Sequence, residues 1–206
     1  MDVPAYAELH CHSYFSLLEG ASSPEALVME GKRLGLSALA LTDHHSLAGS
    51  VRFWRAAQRQ GLHPLFGAEV TLETGDPLTL LAETQAGYGN LCRLVSAARL
   101  DHLPESEEDP WPGKVPPRSS LERLAEYSAG LIALTGGGAN RREALRPLRD
   151  IFGAGQLFIE LVSHGLPGDD RRRAKWRHLA DAADIPVVAT GNAYYAGAAE
   201  SRLRDA

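Results

Sequence analysis

Two histidines near the start of the chain, His10 and His12, are separated by a single residue at the end of a short apolar segment. In an extended strand, side chains two positions apart lie on the same side, so both imidazoles can reach one metal ion. The pair alone is weak evidence, but the next two apolar segments also end in polar residues, at 42–45 and at Glu69. Three successive strands thus bring histidine or carboxylate groups to their carboxyl ends, where barrel enzymes hold their active sites. The alternative is that these residues only cap helices and solvate loops.

Seven apolar segments have the length of β-strands, and they centre near residues 8, 40, 67, 80, 132, 159 and 188. Helix-length segments with apolar residues three and four apart lie between most of them. These helices are predicted near 24–34, 47–60, 88–99, 120–127, 141–151 and 170–183. Continuous apolar strands such as ALAL and VVAT favour a parallel sheet covered by helices, and the alternation predicts a closed or nearly closed α/β barrel. An open doubly wound sheet is the alternative.

The composition is that of an ordinary globular domain, with 206 residues of which 44% are hydrophobic and 23% charged. This length is enough for one core and predicts a single domain over residues 1–206. No run approaches the roughly eighteen apolar residues of a membrane span, and no secretory signal is seen, so we expect a cytoplasmic protein without membrane contact. The cysteines, Cys11 and Cys92, cannot form a disulfide framework and are expected to be buried or part-buried.

Charge and punctuation add two expectations about organisation. The chain has 21 basic and 26 acidic residues, a net charge of −5, which disfavours a domain that binds DNA unaided. The segment 105–118 contains four prolines and four acidic residues without periodicity, and we expect a surface loop there. Residues 200–206 have the pattern of the start of a helix or linker.

The chain resembles a known family in blocks that follow the family order along its whole length. These blocks read LHCHSYFSLLEGAS, ALALTDHHSLAG, HPLFGAEV, FIELVSHGLPGDDRRR and PVVATGNAYY. They are similar to the PHP (polymerase and histidinol phosphatase) domain at the N-terminus of bacterial DNA polymerase III alpha subunits, and most similar to the error-prone branch. The resemblance implies a distorted seven-stranded (βα)7 TIM-like barrel with up to three Zn, Mn or Fe ions at the carboxyl ends of its strands. In active relatives such a cluster hydrolyses phosphoesters.

Carried over by position, the resemblance assigns five metal ligands. They are His10, His12, Glu19, His44 and Glu69. The resemblance also implies that Asp43 orients an imidazole by hydrogen bonding and does not itself bind metal. His45 stands where the family often has asparagine, and we expect a solvated loop histidine at this position.

Four further ligand positions of the family hold unsuitable residues. In place of His, Cys, Asp and His, the chain has Arg99, Gly137, Asn192 and Tyr194. Arg99 would also place positive charge beside the cations. His102 and His164 lie close by in the sequence, but each is more typical of a surface or hydrogen-bonded histidine than of a substitute ligand. The remaining set predicts at most one bound Zn, Mn or Fe ion, or none at all.

The resemblance and the incomplete ligand set together imply the PHP domain of an error-prone DNA polymerase III alpha-type subunit, with a mainly structural role in replication and translesion repair. The expected partner is the polymerase core of the same or a parent chain, and DNA is reached only through that polymerase. The alternative function is an active metal-dependent phosphoesterase, either a 3′-5′ exonuclease or a phosphatase similar to histidinol phosphatase. Five retained ligands keep that alternative open, and four lost ones weigh against it.

Overall fold

Seven strands follow one another around the sheet in chain order, in a computed structural model that describes residues 6–101, 116–135 and 142–204. The strands are β1 Ala7–Glu8, β2 Ala38–Leu41, β3 His63–Thr71, β4 Pro77–Ala82, β5 Leu131–Thr135, β6 Leu157–Val162 and β7 Val187–Thr190. A bridge between Cys11 and Ala193 joins the chain beyond β1 to the chain beyond β7. There the Ala193 amide donates to the carbonyl of His10, at 3.0 Å. The predicted seven-stranded, nearly closed barrel is therefore confirmed, and the open sheet is not observed.

One strand runs against the predicted direction. β4 is antiparallel to both β3 and β5, whereas the other described strand pairs are parallel. Only residues 72–76 connect β3 to β4, and Gly75 there has a positive φ of 88°. So short a connection closes a hairpin, because a parallel crossover needs a dozen or more residues. The expectation of a parallel sheet is therefore wrong for β4.

Helices cover the outside of the barrel between the other strands. They are α1 Pro24–Arg33, α2 Ser50–Gln60, α3 Gln85–Leu100, α4 Leu121–Tyr127, α5 Arg142–Phe152, α6 Asp169–Ala183 and α7 Ser201–Arg204. Six of them match the predicted helices to within three residues at either end. Local capping explains the starts of α1 and α3, where Ser23 accepts a hydrogen bond from the Ala26 amide and Thr84 accepts one from the Gly87 amide. Residues 105–115 of the expected surface loop lie outside the described part of the chain.

Apolar side chains fill the space between the strands and the helices. One cluster packs β2 against α1 and α2 through residues such as Leu39 and Phe53, and a larger one packs β3 to β6 against α3 to α6. Inside the barrel a small cluster around Ala40, Leu81 and Leu134 leaves the carboxyl ends of β1 to β3 to polar side chains. Both cysteines agree with expectation, since Cys11 is buried and Cys92 part-buried. None of the helices in the described ranges has the length and apolar character to cross a membrane.

Candidate metal centre

Three buried side chains converge at the carboxyl end of the first strands. His10 and His12 follow β1, and Glu69 lies on β3. Glu69 Oε2 is 2.7 Å from His10 Nε2 and 3.6 Å from His12 Nε2, and the two Nε2 atoms are 3.0 Å apart. One ligand atom from each residue falls within 4.8 Å of the others. Two imidazoles and one carboxylate at this spacing are a donor set that fits a single Zn, Mn or Fe ion.

The other two predicted ligands form an outer pair beside these three. His44 Nε2 is 2.6 Å from Glu19 Oε2, and His44 Nδ1 is 3.5 Å from Glu69 Oε1. His44 is placed there because β2 and β3 continue to pair beyond Leu41, through a bridge between His44 and Glu69. Glu19 is half exposed, whereas Glu69 is buried. The five predicted ligands thus divide into a buried inner set and a more accessible pair at the rim.

Hydrogen bonds behind His12 determine which of its nitrogens faces the other ligands. Ser16 Oγ donates to Asp43 Oδ1 at 2.8 Å and lies 3.1 Å from His12 Nδ1. Because the single hydroxyl proton goes to Asp43, we assign the proton of this second contact to His12 Nδ1. The lone pair of His12 Nε2 then faces Glu69 and His10, as a metal ligand requires.

Asp43 lies behind the site and makes no direct bond to an imidazole among the described contacts. Its carboxylate accepts from the Ser13 amide at 2.7 Å, from the Ser13 hydroxyl at 2.8 Å and from Ser16. Burial raises the pKa of Asp43, and the hydrogen bonds from Ser13 and Ser16 oppose this shift. The geometry fits the predicted orienting role, with Ser16 as the intermediary to His12.

The charges of this region are unbalanced without a cation. Four carboxylates are buried in the barrel around the histidines, those of Glu8, Asp43, Glu69 and Glu160, and the buried residues of the described chain include no lysine or arginine. Burial works to raise the pKa of Glu69, but the hydrogen bond from His10 and the charge of that imidazole outweigh it and hold that pKa well below the usual range. Buried anions need partners of opposite charge. A bound divalent ion or a protonated imidazole supplies that charge.

The two inner histidines respond differently to their surroundings. Burial lowers the pKa of His12. Burial also acts to lower the pKa of His10, but hydrogen bonds to Glu160 and Glu69 outweigh it and raise that pKa to about 9. In the absence of metal, His10 therefore carries the positive charge, and a metal ion that binds Nε2 must displace its proton.

His45 is not the solvated loop histidine that we expected. It is buried, with a positive φ of 44°. Its Nε2 accepts from the Thr71 amide at 2.8 Å, and its own amide donates to the carbonyl of Glu69, also at 2.8 Å. The His45 side chain therefore accepts a hydrogen bond from the amide of Thr71, the last residue of β3. Together with the bond from its own amide, this contact holds the backbone bridge between His44 and Glu69 in place. The prediction failed because this contact joins residues 26 positions apart.

Stability should fall in acid because of His45. Burial lowers its pKa to about 4, whereas an unfolded histidine titrates near pH 6.5. Below pH 6.5 the imidazole of His45 is protonated in the unfolded chain but stays neutral in the folded protein, so the free energy of unfolding decreases as the pH falls. Above pH 6.5 His45 is neutral in both states and makes no pH-dependent contribution. Between pH 7 and pH 5 we expect His45 to account for roughly 2 kcal/mol.

The measurement is urea unfolding of the wild type and His45→Asn at both pH values, with a chelator present. The wild type should lose about 2 kcal/mol more than the variant between the two pH values. Because His12 is retained in both proteins, its own titration cancels in this difference. Equal losses in the two proteins would contradict the assignment.

The replaced ligand positions have acquired other contacts. Tyr194 stacks on the His12 ring, with centroids 4.6 Å apart and planes 11° apart, and His44 also stacks on that ring, with centroids 4.8 Å apart. Arg99 Nε donates to the carbonyl of His45 at 2.9 Å, so it contacts backbone where we expected charge beside the ligands. The buried Oδ1 of Asn192 has no hydrogen-bond partner in the part of the chain that is described. Gly137 lies outside the described residues.

Of the two histidines considered as substitute ligands, the structure describes one. His164 is exposed, and its Nε2 is 3.1 Å from the carbonyl of Gly191, so it is the hydrogen-bonded surface histidine that we expected. His102 lies outside the described residues.

Sequence reasoning missed two buried carboxylates and a threonine beside His10. Glu160 Oε1 is 2.7 Å from His10 Nδ1, and Thr79 Oγ1 is 3.3 Å from His10 Nε2. Glu8 accepts from the amides of His10 and Gly191, at 2.9 Å and 2.8 Å. The sequence did contain a signal for the two carboxylates, because each is the single glutamate within an apolar strand, AELH or LFIELV. A carboxylate is rarely buried without a partner, so a glutamate in a buried strand indicates a polar partner nearby.

Comparison with known proteins agrees with this geometry. The family model described as the PHP domain matches residues 8–164. The error-prone DNA polymerase of Mycolicibacterium paratuberculosis is 42% identical over 222 residues, which cover 96% of this chain and 20% of that protein. The error-prone DNA polymerase of Symbiobacterium thermophilum is 37% identical, over 93% of this chain and 19% of that protein. The chain thus spans about a fifth of the length of these curated relatives.

A solved structure supports the fold. The crystal structure of a candidate metal-dependent phosphoesterase from Bifidobacterium adolescentis aligns with a TM-score of 0.65 at 18% identity, and covers 95% of this chain and 89% of that one. At this identity the likeness shows the barrel alone.

Proposed function

The chain belongs to the PHP domain family, and we propose that it serves as the PHP domain of an error-prone DNA polymerase III alpha-type subunit, with a mainly structural role and a site for one cation. The observation that carries this proposal is the composition of the site. His10, His12 and Glu69 converge on one position, whereas residues 99, 192 and 194 offer an exposed arginine, a neutral amide and a stacked phenol. The identities of about 40% to error-prone polymerases support the choice of parent protein.

The ligand set supports one ion more strongly than several. Hydrolysis of phosphoesters by a metal cluster uses two ions about 3.5 to 4 Å apart, one to activate water and one to steady the leaving oxygen. A second ion beside the first would share Glu69 with the inner ion, so its own ligands would be only His44 and the half-exposed Glu19. The other positions where the resemblance implies ligands hold Arg99, Gly137, Asn192 and Tyr194, and none of these residues brings a negative charge.

A bound ion would act as a cross-link inside the barrel. His10 and His12 follow β1, Glu69 lies on β3, and the two elements are separated by β2. An ion that joins them gives folded protein additional stability because the unfolded chain cannot form the site. The proposed role of the site is therefore to stabilise the domain.

The second candidate function is an active phosphoesterase. The observation that favours it is the pair formed by Glu19 and His44 at the accessible rim, 2.6 Å apart and beside the inner set. This pair is compatible with a weaker second ion or with proton transfer to a bound phosphoester. The lost charge at Asn192 is the reason to rank this function second.

The proposed partner is the polymerase core, because the matching polymerases are about five times longer than this chain. In this proposal the domain packs against that core, contacts DNA only through the polymerase and works in the cytoplasm in replication and translesion repair. The net charge of −5 agrees with the absence of an independent DNA-binding role.

Metal content and hydrolysis test the site directly. Protein purified without chelator should contain about one equivalent of Zn, Mn or Fe, and should hydrolyse a phosphodiester or a primer 3′ end at close to background rate with added Mn²⁺ or Zn²⁺. The joint variant Arg99→His, Gly137→Cys, Asn192→Asp and Tyr194→His should raise the metal content. Two or three equivalents in the wild type, or activity that His12→Ala abolishes, would favour the phosphoesterase.

Removal of the domain tests the structural role. We expect the full-length polymerase to lose several degrees of melting temperature when the residues equivalent to this chain are deleted, because the contact surface on the core becomes exposed. The isolated chain should not extend a primer. An unchanged melting temperature after deletion, or nucleotide incorporation by the isolated chain, would count against the proposal.

A further inference from the structure

We propose that Glu160, on β6, is a positioning residue that holds His10 in the orientation and tautomer needed for cation binding. This inference rests on the proposed cation site and adds a residue on the other side of the His10 ring from Glu69. The His10 ring lies between two carboxylates, with Nε2 2.7 Å from Glu69 and Nδ1 2.7 Å from Glu160. Both carboxylates are buried.

Only one nitrogen of His10 can face the ion. Nε2 lies beside the lone pair of His12 Nε2 and the carboxylate of Glu69, which together make the donor set. Nδ1 faces Glu160, and we assign the ring proton to Nδ1, which donates a hydrogen bond to the Glu160 carboxylate. A carboxylate behind a ligating imidazole fixes the ring orientation and increases the basicity of the metal-binding nitrogen.

Glu160 is itself fixed by a neighbouring strand. Thr190, the last residue of β7, donates its hydroxyl to Glu160 Oε1, and both side chains are buried. The adjacent Ile159 packs outward into the core between sheet and helices. Glu160 therefore occupies an inward position where, among the described residues, its side chain bonds to His10 and Thr190.

Burial of the Glu160 carboxylate is unfavourable by itself, so its presence at this position needs an explanation. A buried ion costs several kcal/mol unless hydrogen bonds and opposite charge offset the loss of water, and an apolar residue often serves stability equally well. The contact to His10 provides that explanation. The later strands, where family ligands have been replaced, thus still control the cation site from behind it.

The test measures zinc affinity by chelator competition, and the ¹H–¹⁵N signal of the His10 Nδ1 proton, in four proteins. We expect Glu160→Leu to lower zinc affinity by about 10- to 100-fold and to abolish the protected Nδ1 signal. Glu160→Gln keeps an acceptor oxygen, so it should retain the signal and lose less affinity. Glu8→Gln is the matched control, because Glu8 is equally buried but contacts backbone amides and Tyr6 and no imidazole nitrogen.

Several results would overturn the inference. They are a folded Glu160→Leu protein with zinc affinity within twofold of the wild type, a retained Nδ1 signal in that variant, or an equal loss in Glu8→Gln. If Glu160→Leu does not fold, Thr190→Val takes its place, with an expected loss of about threefold and a shifted Nδ1 signal. Failure of the wild type to bind zinc would refute the cation site itself. The Nδ1 signal of metal-free protein would then still decide whether Glu160 holds the ring.

Discussion

Replacement of Glu69 by glutamine should lower the affinity for Zn²⁺ by roughly 100-fold or more, the largest effect expected for a single ligand. Glu69 is the only carboxylate that reaches all three histidines of the site among the described contacts, with Oε2 toward His10 and His12 and Oε1 toward His44. Without its charge, two neutral imidazoles remain at the inner position, and an amide oxygen is a poor substitute for an anion. Calorimetric titration of the Glu69→Gln protein with Zn²⁺ measures the loss.

Glu19→Gln is the matched control for this experiment. The resemblance implies that Glu19 is also a ligand, but its carboxylate is half exposed and, among the described contacts, bonds only to His44 at the rim. If one ion is held by the inner set, Glu19→Gln should change affinity by less than about tenfold. Equal losses for the two variants would show that the ion lies between the inner and outer residues, where a second ion would also fit.

The part of this site that follows β1 to β3 could be predicted from sequence because its geometry is local. Alternation along a strand places His10 and His12 on one side, and parallel pairing of neighbouring strands places His44 beside Glu69. The seven strands were recognisable for the same reason, since each is a continuous apolar run bounded by polar or turn residues. No information beyond the neighbouring residues was needed for these features.

Features that depend on contacts between distant residues could not be predicted in this way. The direction of β4 is an exception, because the connection 72–76 is too short for a parallel crossover and could have predicted the hairpin. The burial of His45 depends on its hydrogen bond with the Thr71 amide. The proposed role of Glu160 depends on its contact with His10, which lies 150 positions earlier in the chain. Periodicity and spacing carry no record of such partners.

The side chains at positions 99 and 194, where the resemblance implies ligands, make packing and hydrogen-bond contacts around the site. Tyr194 and His44 both stack on the His12 ring, and Arg99 donates to the carbonyl of His45, the residue after His44. Aromatic pairs and backbone hydrogen bonds of this kind contribute about 1 kcal/mol each. These contacts stabilise the loops around His12 without an ion, which supports the proposed structural role.

Alanine at Gly20 should both destabilise the protein and weaken cation binding. A Cβ at this position would lie 1.9 Å from the carbonyl oxygen of Ser13, and a backbone atom cannot move aside as a flexible side chain can. Relief of the clash must open the loop 13–20, which carries Ser16 and Glu19. We expect the free energy of unfolding to fall by about 3 kcal/mol, and zinc affinity to fall at least about tenfold because Ser16 no longer orients His12.

Gly87→Ala separates these two effects. Its Cβ would lie 1.9 Å from the carbonyl oxygen of Gly130, so the clash is as severe as at Gly20. This clash lies between α3 and the turn before β5, away from the loop 13–20, which should stay intact. This variant should lose a similar amount of stability and keep the zinc affinity of the wild type, measured by urea unfolding and zinc titration on folded protein. Cation binding depends on the order of the loop 13–20 if only Gly20→Ala weakens it. Parallel losses in both variants would instead tie the site to the stability of the whole barrel.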